Sequence, residues 1–257
     1  MNLVFEGIKY QLHAKKRQGI HSPFIYDLVD KGLTSKVSSE HKSILKAFDL
    51  TQQHDTRVIH ITDLGAGSRK LSTQRNIQDI HRVSSSGRRY GRLLYLLCKH
   101  YKPLHILELG TSLGRGTLAM HLGHPEAQIT TIEGSPEIAA IASENINKFA
   151  TNPTNIEVIT SSFSTYLSDL ENVTFDLVYI DGHHEGKALR NYLDQIMPYT
   201  HEQTLFLLDD IRWNDDMFKA WNELIKDPRF HVSIDFFRMG MLSHRKSQAK
   251  EHFTLSF

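Results

Sequence analysis

From about residue 104 onward, short apolar runs alternate with helix-length stretches, and that rhythm leaves few architectures open. The runs are LHILEL (104–109), QITTIE (128–133), IEVIT (156–160), FDLVYI (175–180) and TLFLLD (204–209). Short, nearly continuous apolar runs of this kind mark strands buried on both faces. Between them lie helices. SPEIAAIASENINKFA (135–150) opens with Ser135 as N-cap and Pro136 at the first helical position. HEGKALRNYLDQIM (184–197) carries Leu189, Tyr192, Leu193 and Ile196 as one apolar stripe. NDDMFKAWNELIKD (214–227) sets Met217, Trp221 and Leu224 on one face behind an Asn214 cap. Strands alternating with helices predict a parallel sheet covered on both sides.

After residue 229 the rhythm changes: FHVSIDFF (230–237) and MGMLSHR (239–245) almost touch, so only a hairpin can join them. The five runs and this pair predict an α/β fold: a doubly wound, Rossmann-like, mostly parallel seven-stranded sheet with a C-terminal antiparallel hairpin. HFTLSF at the C-terminus is read as an edge strand or as packing on the outside. Residues 1–85 differ, with helical segments such as PFIYDLVDKGL (23–33) and EHKSILKAFDL (40–50) and one short strand-like piece, RVIHI (57–61). They predict a mainly helical N-terminal appendage, on the substrate side or serving a homodimer. Residues 86–257 are then the core domain, entered by the helix SGRRYGRLLYLLCKHYKP (86–103).

Composition excludes several classes. The 257 residues are 40% hydrophobic and carry a formal net charge of +1, so no basic field is available to attract nucleic acid. No apolar stretch approaches the roughly 20 residues that span a bilayer, and the N-terminus lacks the order of a signal peptide, so no membrane association is expected. Cys98 is the single cysteine, which forbids an internal disulfide and fits a reducing cytoplasm.

Two glycine loops compete for a ligand: DLGAGSRK (63–70) and ELGTSLGRGT (108–117). A nucleotide loop needs a βαβ context, with amides at the start of a helix and a carboxylate at the end of the next strand for the ribose hydroxyls. The second loop has it: Gly110, Gly114 and Gly116 are followed by a helix and by a strand ending at Glu133. The first is followed by polar sequence without a strand. It reads as a turn of the appendage, or as a loop over the site where Arg69 or Lys70 meets an anionic substrate. In the second loop Ser112 stands where a dinucleotide fingerprint needs its second glycine for close approach to a pyrophosphate. A ligand without a pyrophosphate fits better. S-adenosylmethionine is one, and Glu108 can attract its cationic part.

ILELGTSLGRGTLAM, TTIEGSPE, FDLVYIDGHH and LFLLDDIRW together resemble the class I S-adenosylmethionine-dependent methyltransferases, closest to the catechol/caffeoyl-CoA-type O-methyltransferases and an uncharacterised bacterial branch of them. The resemblance covers roughly residues 86–245. It implies that Glu108, Gly110, Thr111, Ser112 and Gly114 wrap the methionine part of the cofactor. It further implies that Glu133 holds the ribose, that Gly134 and Ser135 flank the adenosine, and that Ser162 and Phe163 contact adenine. Catechol-type enzymes place Asp, Asp and Asn on a divalent cation. The matching residues here are Asp181, Asp209 and Asp210, so an Asp replaces the Asn and leaves the cation, Mg²⁺ or Ca²⁺, open. Asp181 also meets the cofactor amine. His184 aligns with the family's general-base lysine, with His183 beside it, and Trp213 is placed to stack on a flat substrate.

The expected activity is methyl transfer to a small molecule, at an oxygen. Two other readings share the residues: an NAD-dependent oxidoreductase, which Ser112 disfavours, and an S-adenosylmethionine-binding protein without catalysis.

Overall fold

The structure is a computed structural model and describes residues 2–15, 20–61, 74–84 and 87–257. The chain begins with α1 (Leu3–His13) and α2 (Pro23–Asp27), the latter continued by a π-helical turn over Leu28–Leu33. There follow α3 (Ser39–Gln53), β1 (Val58–His60), β2 (Gln74–Asn76), α4 (Ile77–Ser84) and α5 (Gly87–Tyr101). The alternating region then gives β3 (His105–Leu109), α6 (Arg115–Gly123), β4 (Gln128–Glu133), α7 (Pro136–Phe149), β5 (Ile156–Thr160) and α8 (Phe163–Ser168). It continues with β6 (Phe175–Ile180), α9 (Gly186–Ile196), β7 (Thr200–Leu208), α10 (Asp215–Lys226), β8 (Val232–Asp235), β9 (Gly240–Ser243) and β10 (Glu251–Thr254). The chain packs as two compact units, Ser35–Asp169 and Met1–Thr34 with Leu170–Phe257.

In the Ser35–Asp169 unit, β3, β4 and β5 lie side by side and parallel, with Glu108 opposite Thr131 and Glu133 opposite Thr160. Parallel neighbours need crossovers, and α6 and α7 supply them. The start of α7 is as the sequence predicts: Ser135 Oγ accepts from the Ile138 amide at 3.3 Å, and Pro136 occupies the first turn, where its missing N–H costs nothing. β1 and β2 form a separate antiparallel pair, unlike the parallel strands of a βαβ unit, and β2 is a short strand that follows the first glycine loop in the sequence. DLGAGSRK (63–70), with Arg69 and Lys70, lies outside the described residues.

In the other unit, β6 and β7 are parallel, β9 is antiparallel to both β7 and β8, and β10 runs parallel to β8. The expected hairpin is β8–β9. Asn214 caps α10, its Oδ1 accepting from the Met217 amide at 2.8 Å. The buried stripe of α10 includes Trp221, whose ring lies over Gly240 of β9; a Cβ added there would come within 2.5 Å of the indole. The α9 stripe of Leu189, Tyr192, Leu193 and Ile196 is likewise buried.

Beside the β1–β2 pair, the Ser35–Asp169 unit contributes three strands and the other unit five, eight among the described residues and one more than expected. β10 is the addition. It overlaps the HFTLSF segment, read from the sequence as an edge strand or as outside packing, and Phe253 is the core side chain among its four residues. Among the described residues no helix is long and apolar enough to cross a membrane.

Candidate active site

In the Ser35–Asp169 unit the candidate residues cluster where β3 and β4 end. Glu108, one residue short of the end of β3, is 1% exposed. Its Oε2 accepts from the hydroxyls of Thr117 and Thr131, the latter at 2.7 Å. Burial pushes this carboxyl up to about 7, and the Glu133 charge adds to that, while the two threonine hydrogen bonds hold it down. A buried carboxyl poised near neutrality ionises readily once a cation arrives beside it.

The loop after β3 is backbone-shaped. Gly110 and Gly114 have φ of +108° and +87°, and Ser112, at +49°, takes the same left-handed region with a side chain. Such a conformation persists only when its surroundings enforce it. Here Glu133 does so: its Oε2 accepts from the Ser112 amide at 2.9 Å and its Oε1 from the Ser135 amide at 3.0 Å. One carboxylate thus ties the glycine loop to the start of α7. Thr111 joins the Glu108 network through Thr131, the two hydroxyl oxygens lying 2.6 Å apart.

Two contacts of this loop come from residues that the sequence pattern did not mark. Asn145 of α7 donates to the Leu113 carbonyl at 2.9 Å and accepts from Gln52 of α3 at 2.7 Å. Arg115, the first residue of α6, is buried and donates to Asp49 of α3 at 2.7 and 3.3 Å. An arginine amid the apolar residues of α6 was the available signal for that pair; Gln52 offered none.

The remaining cofactor candidates sit at neighbouring turns. Around Gly134 no atom lies within 4 Å of where a Cβ would stand, so the backbone there is open on that side. Ser162 caps α8, accepting from the Thr165 amide at 3.1 Å, and Phe163 follows it half-buried.

The other unit holds the acidic candidates, at the ends of β6 and β7. Asp209 is 2% exposed. Arg238, from the β8–β9 turn, reaches it with a two-pronged contact, Nε to Oδ1 at 3.1 Å and Nη2 to Oδ2 at 3.2 Å. The same guanidinium meets Asp210, with Nε 2.7 Å from Oδ1. The Tyr179 hydroxyl lies 3.0 Å from Asp181 Oδ2 and 3.2 Å from Asp209 Oδ2, and its one proton serves one of them at a time. Burial first, then the charges of Asp209 and Asp210, push the Asp181 carboxyl well above the usual carboxylate range. Burial and Asp209 likewise raise Asp210, with Arg238 opposing.

His184 Nε2 lies 3.8 Å from Asp210 Oδ2, and its ring rests against that of Trp213, centroids 5.0 Å apart. Burial lowers its pKa below 6.5, outweighing the pull of Asp209, so the ring is neutral and able to accept a proton at neutral pH. Trp213 is 63% exposed and stays available to a flat ligand. His183 is engaged differently. In left-handed backbone, at φ +51°, it pairs with the Tyr192 hydroxyl at 2.6 Å.

The ligand set expected for a cation was Asp181, Asp209 and Asp210. Both oxygens of Asp209 are instead engaged, by Arg238, by Tyr179 and by the Asp210 amide at 2.9 Å. Among the described residues the grouping whose ligand atoms all lie within 4.8 Å of one another is Asp181, His184 and Asp210. It shares Asp210 with Arg238 and replaces one oxygen ligand by an imidazole, which suits Mg²⁺ and Ca²⁺ poorly. The donor set does not fit the expected cation while Arg238 holds this position.

Residues 107–211 match a family model described as a methyltransferase domain. Solved structures share the fold. A methyltransferase from Podospora anserina bound to S-adenosylhomocysteine is 19% identical, with a TM-score of 0.59, covering 88% of this chain and 99% of its own. An O-methyltransferase from Bacillus cereus in complex with S-adenosylhomocysteine is 17% identical, with a TM-score of 0.53, covering 84% and 94%. A candidate caffeoyl-CoA O-methyltransferase from Staphylococcus aureus is 15% identical, with a TM-score of 0.56, covering 64% and 88%. At such identities the likeness concerns the fold alone. No curated protein sequence matches the chain.

Proposed function

We propose that the chain transfers the methyl group of S-adenosylmethionine to an oxygen of a small-molecule acceptor. One observation carries the reading: Glu133 is held in a fixed plane by the amides of Ser112 and Ser135, at 2.9 and 3.0 Å. An oriented carboxylate at this strand end suits the vicinal hydroxyls of a ribose. Bound S-adenosylmethionine supplies an electrophilic methyl on a sulfonium.

The protein's own part is binding, orientation and proton transfer. Glu108 offers a buried negative charge to the cationic portion, and the loop Gly110–Gly114 wraps the methionine portion. Gly134 and Ser135 flank the adenosine, with Ser162 and Phe163 on the adenine. His184 accepts the proton of the acceptor hydroxyl, and Trp213 stacks on its flat part. Positioning and exclusion of water supply most of the rate.

The near-zero net charge fits a small acceptor rather than a nucleic acid, and buried Cys98 fits a cytoplasmic setting. Residues 1–85, read as the appendage, cover the acceptor side or join two copies in a homodimer.

The test is calorimetric titration of the full chain with S-adenosylhomocysteine beside NAD. Micromolar binding of the former with no NAD binding is expected, and Glu133→Ala should weaken it about tenfold or more, the scale of a lost charge-assisted hydrogen-bond pair. NAD binding alone, or unchanged affinity in the variant, sinks the reading.

A further inference from the structure

We propose that Arg238 takes the place of a divalent cation at the Asp181–Asp209–Asp210 cluster, so that the methyl transfer proposed above runs without a metal ion. The activity clause rests on that functional reading; the exclusion of the ion rests on geometry alone.

Three carboxylates gathered at two strand ends need a positive charge among them. Arg238 brings one covalently. Its Nε and Nη2 grip both oxygens of Asp209 at 3.1 and 3.2 Å, and its Nε also lies 2.7 Å from Asp210 Oδ1. A divalent ion would have to share Asp210 with a permanently charged group. The like-charge repulsion falls in a half-buried site, where screening by water is weak.

The arginine is built in rather than draped across the cluster. The loop after β7 and the β8–β9 turn exchange arginines. Arg238 crosses from the turn to Asp209 and Asp210, while Arg212 crosses back to Asp235 at 2.9 and 2.6 Å and to the Phe237 carbonyl at 2.5 Å. The Ile211 amide donates to the Arg238 carbonyl at 2.9 Å, pinning the backbone at the root of the side chain. Phe237, with φ +78°, turns the chain so that Arg238 follows, and its amide donates to Asp235 Oδ1 at 2.7 Å. Together these bonds between two short segments define where the guanidinium sits. A cation held by Asp181, His184 and Asp210 would have to share Asp210 with this guanidinium.

The chemistry changes accordingly. A metal would acidify the acceptor hydroxyl by binding its oxygen. Arg238 offers no such bond, and the proton passes to a side chain, His184. Arg238 itself is a positioning residue: it fixes Asp209 and Asp210 and sets the charge of the cluster.

Mn²⁺ is the probe, titrated calorimetrically and by the loss of its free paramagnetic signal into EDTA-stripped full-length protein, with S-adenosylhomocysteine affinity measured in parallel. Wild type should bind no Mn²⁺ at millimolar concentration, and its affinity for S-adenosylhomocysteine should be the same with Mn²⁺ or with EDTA. Arg238→Gln should gain one Mn²⁺ site at least tenfold tighter than any residual wild-type binding, and Asp181→Asn added to it should abolish that site. Arg238→Lys, which keeps the charge, should stay metal-free. One equivalent of Mn²⁺ on wild type, lost in Asp181→Asn, overturns the proposal. So does a folded Arg238→Gln that gains no Mn²⁺. If Arg238→Gln does not fold, the wild-type and Arg238→Lys titrations decide alone. Failure of S-adenosylhomocysteine to bind would count against the methyltransferase reading and leave the Mn²⁺ result standing.

Discussion

Glu108 is a buried acid whose carboxyl stands near 7 rather than at its ordinary 4.5. The native state therefore holds a proton that the unfolded chain releases, over the window between those two values. With more protons bound to the folded form, stability falls as pH rises through the window, by roughly 3 kcal/mol from this group if fully expressed. Glu108→Gln keeps the shape and removes the titration. Urea midpoints of the two proteins at about pH 5 and about pH 8 should show wild type losing stability on the alkaline side and the variant holding level. Equal slopes would mean that Glu108 is not protonated when folded. The same proton gives a binding signature: a cationic cofactor beside Glu108 favours its ionised form, so S-adenosylmethionine binding near pH 6.5 should release a proton, read from titrations in buffers of different ionisation enthalpy. His184 has the opposite sign. Burial lowers its pKa below 6.5, so kcat/KM should fall on the acid side with a midpoint under that value and be flat above it. His184→Ala should remove that limb and reduce turnover about 100-fold or more, leaving S-adenosylhomocysteine affinity intact.

Elements place these residues, and their legibility differed with the physics. β3, β4, β6 and β7 were readable because burial on both faces demands apolar runs, and α7 and α10 because caps are local chemistry. Glu108, Glu133, Asp181 and Asp209 were singled out for the same reason: each ends or follows such a run. Arg238 was not, since nothing in FFRMG says that a turn after β8 carries its charge to carboxylates more than 25 residues earlier in the chain. α3 was readable as a helix but not as a clamp. Its Asp49 meets Arg115 and its Gln52 supports Asn145, so one helix steadies the end of the glycine loop that enters α6. Asp49→Ala should leave a buried arginine unpaired and cost about 3–5 kcal/mol, whereas Asp49→Leu with Arg115→Met should recover most of that. If α3 positions the loop, Gln52→Ala should weaken S-adenosylhomocysteine several-fold with a smaller loss of stability. Affinity unchanged in Gln52→Ala would reduce the clamp to packing.

At the scale of the molecule, the two sets of candidate residues separate by unit. Glu108 to Phe163 belong to Ser35–Asp169, while Asp181 to Arg238 belong to the unit of Met1–Thr34 and Leu170–Phe257. Chain order alone blurs this, because the first unit gives way to the second in the turn after α8, where no composition shift marks the change. The division makes the cofactor reading testable without an acceptor. S-adenosylhomocysteine at 100 times its dissociation constant stabilises the native state by about 2.7 kcal/mol, which slows exchange of every core amide that opens only on unfolding. Amides that open locally should respond only where the ligand touches. Beyond the general slowing, added protection is expected at residues 110–116 and 133–135, whose loops are shaped by left-handed backbone and by Glu133. Residues 181–185 and 209–213 should gain less, since Arg212, Arg238 and Tyr179 already hold that region by contacts within its own unit. Hydrogen exchange followed by mass spectrometry, with and without ligand, reads both sets in one experiment. Added protection confined to 181–185 and 209–213 would move the cofactor away from Glu108 and Glu133 and leave the glycine loop a structural turn.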